Sequence, residues 1–135
     1  MPYTELEHTA DVLVRVTAGS LEELFEESAR AMFETMYGEN TALTEEQDVT
    51  VSADTKDELL CAFLSEFLYL SEVDGMVFGN VTVTLHENIC SATVRGTPFI
   101  REKHAGGTEI KGVSYSGLTI REVNNHVEVD ILFDV

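Results

Sequence analysis

Hydrophobic and polar positions along the chain predict a strand, a helix, a second strand, a second helix and then four further strands. Residues 12–16 alternate as a half-buried strand does. The first helix is predicted from an apolar stripe at helical spacing, which comprises Leu21, Leu24, Phe25, Met32 and Met36. Polar and apolar residues alternate again at 48–53, which predicts a second strand. The segment 59–70 is apolar almost all round, which is typical of a central helix.

Local signals predict where both helices begin and end. Residues 20–23 and 55–58 each have the spacing of a capping box, in which a hydroxyl side chain lies three positions before a glutamate. Tyr37-Gly38 predicts the end of the first helix, and VDG at 73–75 predicts the end of the second.

The C-terminal half of the chain is rich in strand patterns. The four runs are MVFGNVTVTLH, NICSATVRG, TEIKGVSYSGLTIRE and HVEVDILFDV, at 76–86, 88–96, 108–122 and 126–135. Turn signals separate them at Glu87-Asn88, Thr97-Pro98, Gly106-Gly107 and Asn124-Asn125. This order predicts an α+β fold with two layers, in which two helices pack on a mainly antiparallel sheet. Because no linker or repeat interrupts the pattern, we expect one domain over 1–135.

Charge is the feature of composition that changes this picture most. Twenty-five Asp and Glu residues against eight Lys and Arg give a formal net charge of −17. Because binding to nucleic acid depends on neutralising phosphates, we expect no stable direct binding to RNA or DNA, and anionic membranes should repel the chain. Cations and basic protein surfaces are the favoured partners. Solubility alone is the alternative explanation of the acidity.

Other classes of protein are disfavoured by what the sequence lacks. No apolar run approaches the length of about 18 residues that a membrane span needs, and MPYTELEH does not resemble a secretory signal. Cys61 and Cys90 lie in apolar patterns without CxxC spacing, which predicts reduced core cysteines in a cytoplasmic protein. Without a P-loop, a GxSxG motif, a Rossmann fingerprint or zinc-ligand spacing, we expect no enzyme.

The last strand carries the strongest candidate chemistry. Its valines at 127 and 129 share a face with Ile131 and Phe133, so Glu128, Asp130, Leu132 and Asp134 point the other way. Asp134 also lies next to the terminal carboxylate of Val135. Oxygen ligands of this kind suit Ca²⁺, Mg²⁺ or Mn²⁺. A solvated, frayed terminus is the alternative.

Three further residues belong to this hypothesis. Asp11 lies off the apolar face of the first strand, and it converges with Asp134 if the first and last strands are neighbours. Lys111 interrupts a strand-like pattern, where a lysine either extends to solvent or meets a carboxylate. His8 lies at the entry to the first strand, where hydrogen bonding to the backbone is the simpler explanation.

Several segments resemble the archease family. They are EHTADV at 7–12, SLEELFEESARAMF at 20–33, LLCAFLSEFLYL at 59–70, His104 in the loop before EIKGVSYSGLTI, and the terminal ILFDV. They occur in the family's order over nearly the whole chain. The resemblance implies an archease-like α+β fold and an accessory protein that is not itself a catalyst.

The resemblance also implies a partner and a site. The expected partner is an RtcB-type tRNA-splicing RNA ligase, whose guanylylation and multiple turnover archeases promote. The family binds a divalent metal ion through acids that match Asp11 and Asp134, here joined by Val135, with Lys111, His8 and His104 in supporting or activating roles. The alternative is a metal-dependent, chaperone-like partner of a tRNA cytosine methyltransferase. Where the family usually has a histidine after the tyrosine of EIKGVSYSGLTI, this chain has a serine at 116.

Overall fold

Two long helices, one short helix and seven strands occupy the residues that the computed structural model describes, which are 11–38, 43–104 and 107–135, without the side chains at 102 and 103. In chain order they are β1 (Asp11–Ala18), α1 (Leu21–Tyr37), β2 (Glu45–Ser52), α2 (Lys56–Asp74), β3 (Met76–His86), β4 (Ile89–Pro98), α3 (Arg101–His104), β5 (Gly112–Val113), β6 (Arg121–Val123) and β7 (His126–Asp134).

Side-chain caps begin both long helices, as the two capping boxes predict. The hydroxyl of Ser20 accepts the N–H of Glu23 at 3.1 Å, and that of Thr55 accepts the N–H of Glu58 at 3.1 Å. In α1 the side chain of Glu23 also folds back towards the start of the helix, where its carboxylate accepts the N–H of Gly19 at 2.9 Å. The bonds to the N–H groups of Glu23 and Glu58 satisfy amides that the first turn of a helix leaves without a partner.

Glycines end both helices at the predicted positions. Gly38 follows α1 with φ 76°, and its N–H donates to the carbonyl of Glu34. Gly75 follows α2 in the left-handed conformation, with φ 64° and ψ 40°, and its N–H donates to the carbonyl of Ser71. A side chain at either position would be strained, which is why glycine marks these ends.

The strands form two antiparallel sheets. One has the order β1-β7-β5, with β6 also paired to β7, and the other has the order β2-β4-β3. The predicted α+β class is confirmed, although the strands are divided between two sheets where one was expected. Pro98 ends β4 and has no N–H with which to extend a ladder, and α3 then leads the chain to the other sheet.

The expected strand at 108–122 is wrong for most of its length. Only Gly112–Val113 and Arg121–Val123 pair with β7, and a turn closed by a hydrogen bond from the N–H of Leu118 to the carbonyl of Tyr115 separates them. Gly117, with φ 80°, interrupts the extended pattern at that turn.

The predicted turns have mixed outcomes. Those at Glu87-Asn88 and at Asn124-Asn125 are confirmed, with positive φ at Glu87, Asn124 and Asn125. The turn expected at Thr97-Pro98 is wrong, because β4 stays paired with β3 through Pro98. The one expected at 106–107 lies partly outside the described residues.

Helices α1 and α2 pack against the inner faces of the sheets and enclose an aromatic core. Ring centroids 4.8 to 5.7 Å apart connect α1, α2 and β3. The rings are those of Phe25, Phe33, Phe63, Phe67 and Phe78. Of the predicted α1 stripe, every member is buried except Leu21, which is half-buried. The opposite faces of the sheets are left to solvent, and one of them carries the candidate site.

Candidate functional site

Asp11 and Asp134 lie directly opposite each other in the antiparallel ladder between β1 and β7. Residues opposed in this way point to the same face of a sheet, with their Cβ atoms about 4.5–5.5 Å apart. Both side chains are exposed on the outer face, since their neighbours Val12 and Phe133 pack into the core. We call Asp11 and Asp134 the acid pair.

Strand β5 borders the acid pair on the other side of β7. Gly112 is paired with Asp134, and the N–H of Lys111 donates to the Asp134 carbonyl at 2.6 Å. A Cβ atom at Gly112 would lie 3.8 Å from Oδ2 of Asp134, so the glycine leaves that side of the carboxylate uncovered. The hydrogen bond to Asp134 holds the backbone of Lys111 next to the acid pair, and the Lys111 residue is exposed.

The acid pair fits a divalent cation only as an open site. Within 11–38, 43–104 and 107–135, no group of three or more His, Cys, Asp or Glu side chains is arranged to hold a metal ion. The pair supplies two hard oxygen ligands of the type that Ca²⁺, Mg²⁺ and Mn²⁺ prefer. Mg²⁺ is commonly held by one or two carboxylates and keeps several waters. Val135 packs its side chain against the core and has only main-chain oxygens to offer.

Asp11 and Asp134 place two like charges on one rung of the sheet. Like charges directly opposite each other in a ladder repel, and a positive charge between them would reduce the repulsion.

The two histidines that were predicted to support the site, His8 and His104, have different outcomes. His104 ends α3, where its Nδ1 accepts the N–H of Ile100 at 2.9 Å and its ring lies 6.3 and 5.8 Å from the rings of Tyr37 and Phe99. None of these contacts joins His104 to Asp11 or Asp134. His8, with its neighbours at 7 and 9, lies outside the described residues.

A charge-balanced network continues the same outer face. Arg15 donates to Asp130 from Nε at 2.7 Å and from Nη2 at 3.1 Å. Nη2 of Arg121 lies 2.5 Å from Glu128 and 3.2 Å from Asp130. The pKa of Asp130 is lowered to about 2, chiefly because Arg15 hydrogen-bonds its carboxylate. We call these four residues the ionic network.

Two leucines separate the acid pair from the ionic network. Leu13, with 68% of its surface exposed, is the register partner of Leu132. Sequence reasoning did not select Leu13 or Arg15, although their parity with Asp11 was visible. The sequence of one strand does not show which other strand pairs with it.

Comparisons with known proteins agree with this fold. Residues 3–135 match the model of the Archease protein family. Protein archease of Methanopyrus kandleri is 30% identical over 141 residues, which cover 100% of both chains. Protein archease of Pyrococcus furiosus is 33% identical over 124 residues, which cover 87% of this chain and 86% of the relative.

Solved structures give the same result. The crystal structure of a Thermotoga maritima archease, described as a possible chaperone, has a TM-score of 0.71 and 25% identity, and the match covers 100% of this chain and 98% of that one. The solution structure of Methanobacterium thermoautotrophicum protein 1598 shares the fold, with a TM-score of 0.75, 24% identity and 94% of each chain covered.

The fold defines an α+β protein with two principal helices and two antiparallel sheets, in which the first and last described strands are joined and carry opposed acids at one end. The chain belongs to the archease family. No helix in the described part of the chain has both the length and the apolar character needed to cross a membrane.

Proposed function

We propose that this chain is a non-catalytic accessory protein of an RtcB-type tRNA-splicing RNA ligase, and that it promotes ligase guanylylation and multiple turnover in the cytoplasm. The observation that carries the proposal is the register of β1 and β7, which opposes Asp11 and Asp134 on an exposed face. Membership of the archease family supports the choice of partner.

On this proposal the acid pair holds a divalent cation (Ca²⁺, Mg²⁺ or Mn²⁺), together with a main-chain oxygen of Val135. Two carboxylates leave coordination positions for water or for groups of the ligase. Lys111 offsets part of the negative charge, and its backbone bond to Asp134 fixes the end of β7. His8, three positions before Asp11 in the sequence, has a supporting role on this proposal. His104 acts indirectly, by anchoring the chain before Lys111 through its bond to Ile100.

Activation requires that the chain bind the competent form of the ligase more tightly than its resting form. A tenfold shift in population takes about 1.4 kcal/mol of differential affinity. A few charge-assisted contacts to the acid pair and Lys111 supply a preference of that size. The net charge of −17 also favours rapid encounter with a basic RNA-binding surface.

A ligase assay with 2′,3′-cyclic-phosphate RNA, GTP and Mn²⁺ tests the proposal. We expect the untagged wild type to increase both the guanylylation rate and the number of turnovers, and Asp11→Asn, Asp134→Asn and Lys111→Gln to lose most of that effect. Glu122→Gln is the matched control, because Glu122 is exposed on the same sheet but faces Val127 across the ladder. The proposal fails if folded Asp11→Asn and Asp134→Asn variants activate the ligase as well as the wild type does.

A second candidate is a metal-dependent, chaperone-like partner of a tRNA cytosine methyltransferase. It is favoured by the description of the Thermotoga maritima relative as a possible chaperone. The discriminating measurement is the aggregation of each purified enzyme on heating, with and without this chain. Protection of the methyltransferase that requires Asp134, without any effect on ligase turnover, would select this candidate.

Incubating the chain with the same RNA and Mn²⁺ in the absence of ligase checks the non-catalytic assignment. We expect no product. Turnover that is lost in Asp134→Asn would identify the protein as a phosphoesterase instead.

A further inference from the structure

A cavity of about 300 Å³ lies beside the C-terminal end of α1. Its walls come from α1, α2, the segment after β4 and the segment before β5. The side chains used below are Tyr37, Glu72, Phe99, His104 and Glu109. Asp11, Lys111, Asp134 and Val135 do not line it, and His104, which acts only indirectly at the acid pair, is the one residue that the two sites share among those described.

Three rings form one side of this cavity and contact one another. The centroids of Tyr37 and Phe99 are 6.0 Å apart, those of Tyr37 and His104 are 6.3 Å apart, and those of Phe99 and His104 are 5.8 Å apart. Phe99 is 44% exposed, so part of its surface is available to a ligand. Faces of aromatic rings attract cations, arginine more often than lysine.

His104 contributes its ring to the wall. Its Nδ1 accepts the N–H of Ile100 at 2.9 Å, which makes that nitrogen an acceptor here. The residue is 7% exposed, so it is buried between Tyr37 and Phe99.

Carboxylates complete the lining. Glu72 and Glu109 are both exposed at the cavity, and no lysine or arginine is among the described residues that line it. The ion pairs of the described residues involve Glu27, Glu87 and the ionic network, and they do not involve Glu72 or Glu109. Among the described residues, the lining thus combines three aromatic rings with two carboxylates that form no ion pair.

Backbone contacts hold the walls in position. The N–H of Phe99 donates to the carbonyl of Gly75 at 2.8 Å, and the N–H of Thr108 donates to that of Thr35 at 3.3 Å. A Cβ atom at Gly107 would come within 1.6 Å of the Met36 carbonyl oxygen, so only glycine allows this close approach to the end of α1. The site is largely formed before any ligand arrives.

From this geometry we infer that the cavity binds the guanidinium group of an arginine presented by a basic partner protein. Ring faces and flanking carboxylates together select a planar organic cation. A bare divalent metal ion would prefer oxygen ligands without rings, and a neutral ligand would gain at most hydrogen bonds, without charge attraction, from the two carboxylates. The net charge of −17 favours approach of such a partner. The inference stands whether or not the partner is an RNA ligase.

Titration of the full chain with N-acetyl-arginine methylamide, followed by NMR of the aromatic ring signals, tests the inference. We expect saturable shifts of the Tyr37, Phe99 and His104 signals. The citrulline analogue, which has the same shape without the charge, should leave them unchanged. Equal shifts with both compounds, or none with arginine, would overturn the inference.

Variants test the two components of the site separately. The double variant Glu72→Gln/Glu109→Gln should weaken arginine binding by roughly fivefold to tenfold, whereas Glu34→Gln/Glu122→Gln, which removes the same charge elsewhere, should not. Phe99→Leu keeps an apolar, partly exposed side chain but removes the ring face, and should weaken binding by about threefold. Binding unchanged in both site variants would contradict the assignment.

The lysine at 103 is the chain's own cation that lies closest to His104 in the sequence. The titration is therefore repeated with Lys103→Ala. We expect the same affinity as for the wild type. If shifts appear only in Lys103→Ala, the chain itself supplies the cation, and the inference of a partner's arginine is wrong.

Discussion

Asp11 is the register partner of Asp134, so two carboxylates occupy one rung of the ladder between β1 and β7. Further along the same two strands, the corresponding rung holds Arg15 against Asp130 and forms an ion pair. The sheet therefore places a repulsive pair and an attractive pair on one outer face, with the leucines at 13 and 132 between them. We expect an added cation to relieve the repulsion in the first pair and to leave the second pair unchanged.

The first prediction concerns the repulsion in the acid pair. With EDTA present, Asp134→Asn should raise the free energy of unfolding by about 0.2–1 kcal/mol, because it removes a like charge opposite Asp11. With Mn²⁺ added, the wild type should gain thermal stability and Asp134→Asn should gain much less. Urea unfolding and thermal melts measure the two effects.

Glu122→Gln is the control for this prediction, since it removes one exposed acid from the same sheet without touching the acid pair. A gain of stability in EDTA for Glu122→Gln equal to that of Asp134→Asn would show that overall net charge is responsible, and not the opposed carboxylates.

A second prediction concerns acid stability. The pKa of Asp130 is about 2 in the folded chain, against an ordinary value of 3.8. A carboxyl group whose pKa is depressed by folding stabilises the fold above its unfolded pKa, and that contribution is lost as the pH falls towards the folded value. The free energy of unfolding of Asp130→Asn should therefore lie furthest below that of the wild type at pH 5. The difference should shrink as the pH falls from 3.8 towards 2.

Urea titrations at pH 5, 3 and 2 give the measurement. Asp48→Asn is the comparison, because the recorded side-chain partner of Asp48 is the hydroxyl of Thr93, at 3.0 Å, and not an arginine. If the loss of unfolding free energy in Asp130→Asn stays constant over this pH range, the ion pair between Asp130 and Arg15 is not the source of the effect.

A third prediction contrasts two buried serines. The hydroxyl of Ser28 is fully buried in α1 and has no hydrogen-bond partner among the described residues, whereas that of Ser71 donates to the Met76 carbonyl at 2.7 Å. Ser28→Ala should stabilise the fold by about 0.5–2 kcal/mol, because it removes an unsatisfied polar group and adds a better helix former. Ser71→Ala should destabilise it by about 1 kcal/mol. Paired unfolding curves compare the two variants, and the same sign for both would contradict the prediction.

A fourth prediction concerns the edge of the second sheet. The carboxylate of Glu26 accepts the N–H of Val83 at 2.8 Å, and that of Glu22 accepts the N–H of Leu85 at 2.8 Å. Because β3 is an edge strand, these amides would otherwise lack a ladder partner. Glu26→Ala should cost about 1–3 kcal/mol and increase self-association in gel filtration. Glu34→Ala, an exposed site on the same helix, is the control and should remain monodisperse.

The helices could be predicted from sequence because their signals are local. The capping residues Ser20 and Thr55 and the stop at Gly75 act within a few positions of the helix ends that they determine. The pairing of β1 with β7 is different, because no short-range signal specifies which strands meet. Convergence of Asp11 and Asp134 was conditional on that pairing, and only the fold supplies it.

The segment 108–122 shows why alternation alone misleads. Ile110 and Leu118 are buried, at 6% and 4% exposure, but they reach the core from irregular backbone and not from a strand. His104 is a similar case, since its burial beside Tyr37 depends on a contact between distant parts of the chain. Hydrophobic pattern reports which residues are buried more reliably than the backbone conformation that buries them.

The closure of β1 onto β7 has a consequence for biogenesis. During translation the strand that carries Asp11 emerges early but has no ladder partner until the strand that carries Asp134 has left the ribosome. Contacts this distant in sequence also form slowly, because a long loop must close first. A nascent or misfolded chain therefore displays isolated aspartates, and a partner that requires both of them together distinguishes finished molecules from incomplete ones.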